Sequence, residues 1–429
     1  MITEPPVNRR GGVGPAPVSV TERVQELDVL RGVALFGILI VNILDYAPAP
    51  VSGADRAATT FIELFADGSF FPLFSLLFGI GFVVFLDRAA ARGSTGVLLY
   101  LRRTVALLLI ALLQIVFLED RNILVRYAFL SLPLLLFWRA SARTCLLAAV
   151  FCVGLAVARG PLNRAVVQRQ MRDPVAAEAM RQRNAAEMAK FQAGIAEEKR
   201  VAATRNFIEI ATFRARWQVP QQLSWSMDLR RNPSLLHILG MFLLGAAAWR
   251  SGVLRDVSRH RRLLQRILVL GLASGITGNV LVSLGPDGDP MTFLDGYPTA
   301  TTAIRLVSNT ALTLSYVAGL VLLMSGTADS WRRRLAPLAI VGRMGLTNYL
   351  WQSFMMSLLF LPYGLGLEGA LPAWAYPLLG VLIFLTHLPL SSWWLARFRF
   401  GPAEWLWRSA TYGRFQPMER GVPDRADTT

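Results

Sequence analysis

The chain has 429 residues, is 54% hydrophobic and carries a formal net charge of +16. Ordinary soluble domains are about 45–50% apolar, so this composition predicts a polytopic membrane protein. The basic residues stand in short clusters between apolar segments, which argues against a nucleic-acid-binding face. The two cysteines, Cys145 and Cys152, lie in one apolar run and are predicted to be buried thiols rather than a disulfide framework or a zinc site. No pair or triad of histidines or cysteines has metal-ligand spacing, so we expect no metal.

Residues 1–26 form a tail that is rich in proline and glycine and has no apolar core of signal-peptide length. We therefore expect a flexible cytoplasmic tail. The first apolar segment, Leu27–Tyr46, follows it directly. A helix of about 20 residues spans the hydrocarbon core of a bilayer, so this segment is predicted to cross the membrane.

Nine further apolar segments follow, separated by polar stretches. They are Phe70–Leu86, Thr104–Leu118, Ile123–Phe137, Cys145–Ala158, Leu235–Trp249, Ile267–Leu284, Ala303–Ser325, Leu335–Leu361 and Trp374–Trp394. Gly or Pro near the ends of the second and ninth segments leaves open whether those two cross fully or re-enter. The sequence thus predicts an all-α integral membrane protein with about ten transmembrane helices.

The composition changes between the fifth and sixth segments, where Arg, Glu, Gln and Ala dominate. These are good helix formers, so helices are predicted around Val175–Arg214, but apolar residues there are too sparse for a membrane span. The predicted divisions are the tail 1–26, an N-terminal five-helix bundle 27–158, a polar extracytoplasmic section 159–233, a C-terminal five-helix bundle 234–394 and an arginine-rich cytoplasmic tail 395–429.

Charge alternates between the loops of the predicted bundle. Arginine clusters follow the second, fourth, sixth and eighth segments, whereas the acidic loops follow the first, third, seventh and ninth. Cytoplasmic loops of membrane proteins carry the excess of Lys and Arg. The alternation therefore predicts that both termini are cytoplasmic.

The first segment contains four polar residues that a simple membrane anchor does not need: Asp28, Arg31, Asn42 and Asp45. At about 100° per residue, Asp28, Arg31 and Asn42 share one helix face. Charged residues inside a membrane usually face the bundle interior or a wet cavity, so these residues are site candidates. The alternative is an ion pair between Asp28 and Arg31 that holds the helix in its bundle.

Polar side chains in two other segments are further candidates. In the ninth segment Asn348 and Gln352 are one turn apart, and Arg343 lies too deep to be only a boundary anchor. At the outer end of the third segment, Gln114 and Asn122 are predicted to help form a mouth. The alternative for the ninth-segment amides is hydrogen bonding between helices, and the alternative for the mouth is a set of exposed loop charges.

Four motifs resemble a known family. They are LDVLRGVALFGILIVNI, FFPLFSLLFGIGF, GRMGLTNYLWQS and the terminal RFRFGPAEWLWRSATYGRFQP. Together they resemble the YeiB-like family of bacterial inner-membrane proteins, a family of largely unknown function. The last motif is the most specific, because neither hydropathy nor topology requires it. The resemblance covers nearly the whole chain and implies a multi-pass protein in the lipid bilayer of the bacterial cytoplasmic membrane.

The first helix of that family is similar to that of the transmembrane acyltransferase superfamily. Those enzymes take an acyl donor such as acetyl-CoA from the cytoplasm and modify a hydroxyl or amine on the far side. In the O-acyltransferase branch the LDxxRG signature is followed by a histidine, and Asn42 stands at that position here. The similarity implies acetyl-CoA or another acyl-CoA as donor, and a small molecule or glycan as acceptor.

Roles for the candidate residues follow from this similarity and from their chemistry. Guanidinium groups match phosphate geometry, so Arg31 and Arg343 are expected to bind the donor phosphates. The residues expected to contact an acceptor or another bound molecule are Asn42, Asp45, Gln114, Asn122, Asn348 and Gln352.

The carboxylates left for acid–base catalysis are Asp28 and Asp45. Two other functions stay open on the sequence alone. One is a carrier or exporter of a small metabolite, and the other is a structural or accessory membrane subunit. The oligomeric state is open as well.

Overall fold

The structure is a computed structural model that describes residues 25–91, 96–118, 122–229, 232, 234–284, 300–326 and 330–419. Over these residues the chain forms sixteen α-helices and no strand, which confirms the predicted all-α fold. The helices are α1 Gln25–Ile43, α2 Gly53–Phe65, α3 Phe70–Ala91, α4 Gly96–Phe117, α5 Leu124–Leu134, α6 Ala142–Gln170, α7 Pro174–Ala203, α8 Phe207–Phe213, α9 Val219–Met227, α10 Ser234–Arg250, α11 Val257–Ser283, α12 Ala300–Met324, α13 Ser330–Arg343, α14 Gly345–Phe360, α15 Ala375–Arg397 and α16 Pro402–Tyr412. The predicted tail 1–26 lies almost entirely outside the described residues.

Seven helical stretches of the described chain are long and apolar enough to cross a membrane. They are Gln25–Tyr46, Gly53–Ala91, Gly96–Phe117, Ala142–Gln170, Val257–Ser283, Thr301–Met324 and Ala375–Arg397. The described residues also contain two shorter apolar helical stretches, Leu124–Phe137 and Ser234–Arg250. The chain is thus a multi-helix membrane protein, and the count of ten spans and the cytoplasmic termini stay predictions.

Helix α1 lies at the centre of the bundle. Most of its residues are buried, and its side chains Leu30, Leu35, Ile38 and Leu39 are at most 1% exposed. Helices α3, α13, α14 and α15 pack around it. A helix that is apolar on all sides needs other apolar surfaces to enclose it, so the first apolar segment is the core element of the fold.

Helices α1 and α13 cross at two glycines. A Cβ on Gly32 would collide with the backbone of Leu338, and a Cβ on Gly342 would collide with the backbone of Asp28. Small residues let membrane helices approach closely and gain van der Waals contact. The crossing brings the end of α13, and with it Arg343, beside the first turns of α1.

The predicted ninth segment, Leu335–Leu361, is not one continuous helix. It divides into α13 and α14 at Met344, whose φ of −106° and ψ of 37° are not helical. The carboxylate of Glu404 accepts hydrogen bonds from the first backbone N–H groups of α14. A carboxylate at a helix N-terminus stabilises such an interruption, because it pairs N–H groups that have no partner within the helix.

The end of the fifth segment differs from the one predicted, and the helices of the polar section agree with the prediction. The fifth segment was expected to end at Ala158, but α6 continues to Gln170. The helices predicted around Val175–Arg214 are present as α7 and α8, and they are divided at Arg205, which has a positive φ of 53°. A positive φ is unfavourable for a non-glycine residue in a helix, so the chain turns there.

The polar section folds back onto the end of the bundle that contains Gln114. Arg214, in a π-helical turn, donates from Nη1 to Leu118 O at 2.8 Å. Gln222 of α9 donates from Nε2 to Asn122 O at 3.0 Å. Helices α8 and α9 therefore cover this end of the bundle.

Candidate functional site

A cavity of about 210 Å³ lies between the first turns of α1 and helices α3, α4, α5, α13, α14 and α16. Among the described residues, four arginines and one glutamate line it. We call it the arginine cavity and define it by Arg31, Arg103, Arg343, Arg408 and Glu404. The four guanidinium groups carry like charges, which repel one another strongly where the dielectric constant is low. An anion between them would offset this repulsion, so the electrostatics of the cavity favour an anion.

Arg31 makes an ion pair and lines the cavity at the same time. Its Nη1 donates to Asp28 Oδ1 at 2.6 Å, one helical turn away, and the Asp28 side chain is 11% exposed. The ion pair that the sequence offered as an alternative is therefore present. One third of the Arg31 side chain stays exposed, so the guanidinium group remains accessible from the cavity.

Arg343 is the last residue of α13 and lines the same cavity as Arg31. The two residues belong to opposite halves of the chain, and the glycine crossing of α1 and α13 brings them together. The structure thus joins in one cavity the two arginines that the sequence assigned to phosphate. Their role in binding stays a prediction.

Two of these arginines, Arg103 and Arg408, are not recognisable as site residues from the sequence alone. The guanidinium carbon of Arg103 lies 3.9 Å from the ring centroid of Trp407 and 5.0 Å from that of Phe85. Arg408 lies 4.6 Å from the ring centroid of Phe400. Cation–π contacts attract guanidinium groups to ring faces and so orient both side chains. The available signal was the terminal motif, whose Trp407 and Arg408 neither hydropathy nor topology requires.

Glu404 is tied to the first turn of α14. Its Oε1 accepts from the backbone N–H of Leu346 at 2.6 Å and of Thr347 at 3.2 Å, and its Oε2 accepts from the Thr347 hydroxyl at 2.5 Å. Burial raises the pKa of Glu404, although the hydrogen bonds from Thr347 and Leu346 act in the opposite direction. Both carboxylate oxygens are engaged by α14, so Glu404 fixes the cavity wall.

The rest of the cavity wall is largely apolar. Phe74, Phe78 and Gly81 come from one face of α3, and Leu107 and Leu124 come from α4 and α5. A Cβ on Gly81 would meet no atom of the described residues within 4 Å. The cavity therefore has a cationic end at the arginines and an apolar end beside α3.

Asn348 and Gln352 hold α14 against its neighbours. Asn348 Nδ2 donates to Val341 O at 2.9 Å and to Ser391 Oγ at 3.0 Å. Gln352 Nε2 donates to Leu35 O at 3.3 Å. These are hydrogen bonds between helices, as in the alternative reading of the sequence, and a role of either residue in binding stays a prediction.

Gln114 and Asn122 form a hydrogen-bonded pair at the end covered by α8 and α9. Asn122 Nδ2 donates to Ala111 O at 2.8 Å and to Gln114 Oε1 at 2.9 Å, while Gln114 Nε2 donates to Ser353 Oγ at 2.8 Å. Asn122 Oδ1 accepts from the N–H of Leu124, where α5 begins. These bonds account for both buried amides within the bundle, and contact with an acceptor stays a prediction.

Asn42 and Asp45 lie at the opposite end of α1 from Asp28. Asn42 is 6% exposed, and Asp45 is exposed in the 3₁₀ turn Leu44–Tyr46. About 17 residues at 1.5 Å each put Asp45 about 25 Å from Asp28 along the helix. The two carboxylates predicted to be catalytic therefore do not share one site.

Arg126 is a further charged residue that the sequence analysis missed. It lies in α5 directly before Tyr127, and Tyr127 and Tyr349 are near enough to interact electrostatically with its charge. Both tyrosines line the arginine cavity. The available signal was an arginine inside the fourth apolar segment, since intramembrane charges are costly and usually functional.

Comparison with known proteins shows which family the chain belongs to. A family model described as "Protein of unknown function (DUF418)" matches residues 248–414. Uncharacterized protein YeiB of Escherichia coli is 28% identical over 91% of this chain and 96% of its own length. Uncharacterized protein YxaH of Bacillus subtilis is 34% identical over 94% of this chain and 98% of its own length. The chain belongs to the YeiB-like family. No solved structure matches it.

The part of the chain that matches the DUF418 family model supplies one wall of the arginine cavity. Arg343, Glu404 and Arg408 lie within residues 248–414. Arg31 and Arg103 come from α1 and α4, ahead of the matched residues. The site of this YeiB-like protein is thus assembled from both halves of the chain.

Proposed function

We propose that this YeiB-like protein binds the phosphate groups of an acyl-CoA donor in the arginine cavity and transfers the acyl group to an acceptor. The convergence of Arg31, Arg103, Arg343 and Arg408 on one cavity carries the proposal. Guanidinium forks match phosphate oxygens through paired, charge-assisted hydrogen bonds. Several guanidinium groups suit a donor such as CoA, which carries several phosphates.

The predicted topology supports a cytoplasmic donor. Arg31 belongs to the first turns of α1, and the positive-inside rule predicts that this end is cytoplasmic. Arg103 and Arg408 belong to arginine clusters that the same rule assigns to the cytoplasm. A phosphate-bearing metabolite of the cytoplasm therefore meets the cationic end of the cavity first.

The transfer step needs a base as well as a donor site. The acceptor oxygen or nitrogen forms a bond to the acyl carbon, the thioester C–S bond breaks, and CoA leaves as the free thiol. The proton that the acceptor loses passes through a base on its way to the thiolate. We assign this base to Asp28, because it is paired with the cavity residue Arg31, whereas Asp45 lies about 25 Å away along α1.

Donor binding is tested with purified full-length protein in nanodiscs and with CoA as the probe. Arg343→Ala is expected to raise the Kd about 10- to 150-fold, since a hydrogen bond to a charged group contributes about 1.5–3 kcal/mol. Arg333→Ala is the matched control, because Arg333 is exposed on the same helix. It is expected to leave the Kd unchanged, and an equal Kd for both variants would contradict the proposal.

The transfer step is tested by release of free thiol from acetyl-CoA when a small hydroxyl or amine acceptor is added. Asp28→Asn is expected to abolish thiol release and to retain CoA binding, because the amide cannot accept the proton. Thiol release by this variant at the unaltered rate would remove Asp28 from the mechanism.

The break at Met344 favours a second candidate function, that of a carrier or exporter of a small metabolite. Many carriers bind their substrates where a membrane helix is interrupted, since the ends of the half-helices line the site. Helices α13 and α14 meet at such a break, directly after the cavity residue Arg343. Substrate-dependent flux in vesicles, together with no binding of CoA, would favour the carrier.

A further inference from the structure

The apolar end of the arginine cavity forms an apolar recess, which we define by Phe74, Phe78, Gly81, Leu107 and Leu124. The three residues of α3 are spaced four and three apart, so they follow one another along a single helix face. Leu107 is one helical turn beyond Arg103 on α4. The recess thus continues from the arginines toward the interior of the bundle.

The hydrogen bonds of Asn122 define how deep the recess reaches. The side-chain amide of Asn122 donates to Ala111 O at 2.8 Å. Asn122 is only two residues before Leu124 in the chain. Leu124 therefore lies near the level of Ala111 on α4. Ala111 is eight residues beyond Arg103, which is about 12 Å along the helix. The recess extends about this far from the arginines.

Gly81 widens the recess, and helix packing does not require it to be glycine. On the same helix, a Cβ on Gly79 would collide with the backbone of Phe242. A Cβ on Gly81, in contrast, has no described atom within 4 Å. The space beside Gly81 is therefore room for a ligand rather than room for a neighbouring helix.

We infer that the ligand of the arginine cavity is an amphiphile, with its phosphate at the arginines and a hydrocarbon chain in the apolar recess beside Gly81. This inference rests on the proposed phosphate binding and adds the other half of the ligand. Apolar ligand surface gains free energy when it leaves water for such a recess. A long-chain acyl-CoA and a phosphate-bearing membrane lipid share this chemistry.

Ethyl, butyl and hexyl phosphate test the inference, because they share one head group and differ in chain length. Their Kd values are measured with full-length protein in nanodiscs, and empty nanodiscs serve as the blank. Each buried methylene is expected to lower the Kd about fourfold. Ethyl and hexyl phosphate differ by four methylenes, so full burial of the longer chain should lower the Kd about 250-fold.

Substitution of Gly81 tests where the chain lies. Gly81→Leu fills the recess, so it is expected to remove the dependence on chain length and to leave the Kd of ethyl phosphate unchanged. Gly81→Ala is the milder variant, and it is expected to weaken hexyl phosphate alone. Gly154→Leu is the matched control, because a Cβ at this exposed position of α6 has no contact within 4 Å in the part of the chain that is described.

The outcomes separate this inference from the phosphate proposal. Ethyl phosphate that binds without any gain from a longer chain overturns the amphiphile and leaves phosphate binding intact. No binding of any alkyl phosphate overturns phosphate binding itself. A chain-length dependence that persists in both Gly81 variants overturns the recess as the chain site.

A second pair of probes, CoA and octanoyl-CoA, identifies the source of the chain. Tighter binding of octanoyl-CoA than of CoA, lost in Gly81→Leu, supports a soluble thioester. If a longer chain tightens the binding of alkyl phosphates, but octanoyl-CoA binds no tighter than CoA, the result supports a membrane lipid as the ligand. Either result supports an amphiphilic ligand.

Discussion

Glu404 is one carboxylate that joins two helices. It belongs to α16, yet its oxygens accept the hydrogen bonds of Leu346 and Thr347 in α14. A Cβ on Gly401 would collide with the Glu404 carboxylate and crowd the Thr347 hydroxyl. Pro402 follows at the first position of α16, where its missing N–H costs nothing. The Gly-Pro-Ala-Glu part of the terminal motif thus has a physical reason at three of its four residues.

Glu404→Gln is expected to change how stability depends on pH. Burial raises the pKa of Glu404 above its ordinary value of 4.5, so the folded protein retains this proton to a higher pH than the unfolded chain does. The stability that this proton contributes is complete below the ordinary pKa and is lost as the pH rises through the raised pKa. The glutamine variant does not titrate and should lack this loss.

Thermal unfolding in detergent between about pH 4 and pH 8 checks this prediction, since the window covers the ordinary glutamate pKa and values above it. The difference in apparent Tm between the variant and the original protein should shift in favour of the variant as the pH rises. A difference that stays constant over the whole range would show that Glu404 does not titrate differently in the two states.

Residue-level reasoning singled out two charges inside apolar segments, and their role in binding stays a prediction. Arg31 and Arg343 are recognisable in this way, and both line the arginine cavity. Such reasoning failed where a role depends on a distant partner. Arg103 looks like one more cytoplasmic arginine until Trp407 is packed against it, and Glu404 has no evident role until α14 begins beside it.

Among the helices, the crossing of α1 and α13 determines where Arg343 stands. Gly32 and Gly342 let the two backbones touch, and Arg343 follows directly after the contact. The geometry of the cationic end therefore depends on two residues that carry no charge. This dependence makes the crossing testable by substitution of a glycine.

Gly342→Ala is expected to lower the stability, although alanine is the better helix former. Its Cβ would collide with the Asp28 carbonyl, so α13 must move away from α1, and overpacking of this kind costs about 1–3 kcal/mol. The same movement displaces Arg343 and should weaken CoA binding.

Gly154→Ala is the control for this experiment, since a Cβ there meets no atom within 4 Å in the described chain. Its apparent Tm should stay the same or rise, because alanine reduces the freedom of the unfolded chain. Equal apparent Tm values for the two alanine variants would mean that the helices do not touch at Gly342.

Hydropathy finds apolar segments but not the interruptions within them. Leu335–Leu361 is predicted to be one span because its residues are mostly apolar and helix-compatible. The break at Met344 is stabilised by Glu404, which lies outside the segment. A local sequence pattern cannot contain that contact, which is why the existence of the segment was predictable and its division was not.

The orientation of the whole molecule is predicted from its arginine clusters. A reporter enzyme fused after Arg334 is expected to report a cytoplasmic position, whereas one fused after Lys190, in α7, is expected to report an outside position. The reason for the first position is the retention of Lys and Arg in short loops on the cytoplasmic side. The second position follows from the alternation of the predicted spans, since charge has little effect on a loop as long as 159–233. Activity of the Arg334 fusion only outside the cytoplasm would contradict the predicted topology.

The family and the all-α class were predictable for the whole molecule, but the packing order was not. The four motifs suffice to predict the family, and the apolar segments suffice to predict the all-α class. The packing order depends on which helix faces meet. Helix α1 packs against α13 and α15, and α3 packs against α10. Apolar faces are nearly interchangeable in lipid, since no hydrophobic effect drives helices together there, so small residues such as Gly342 decide the partners.

Helix α16 follows the last apolar stretch of the described chain, yet it completes the arginine cavity. Trp407 donates from Nε1 to the carbonyl of Arg103 at 2.8 Å, and Arg408 adds a charge to the wall. During synthesis, α1 and α4 enter the membrane long before α16 leaves the ribosome. The order of synthesis therefore delays completion of the cavity until α16 has left the ribosome, and a shorter chain that is already inserted lacks Glu404 and Arg408 in the cavity wall.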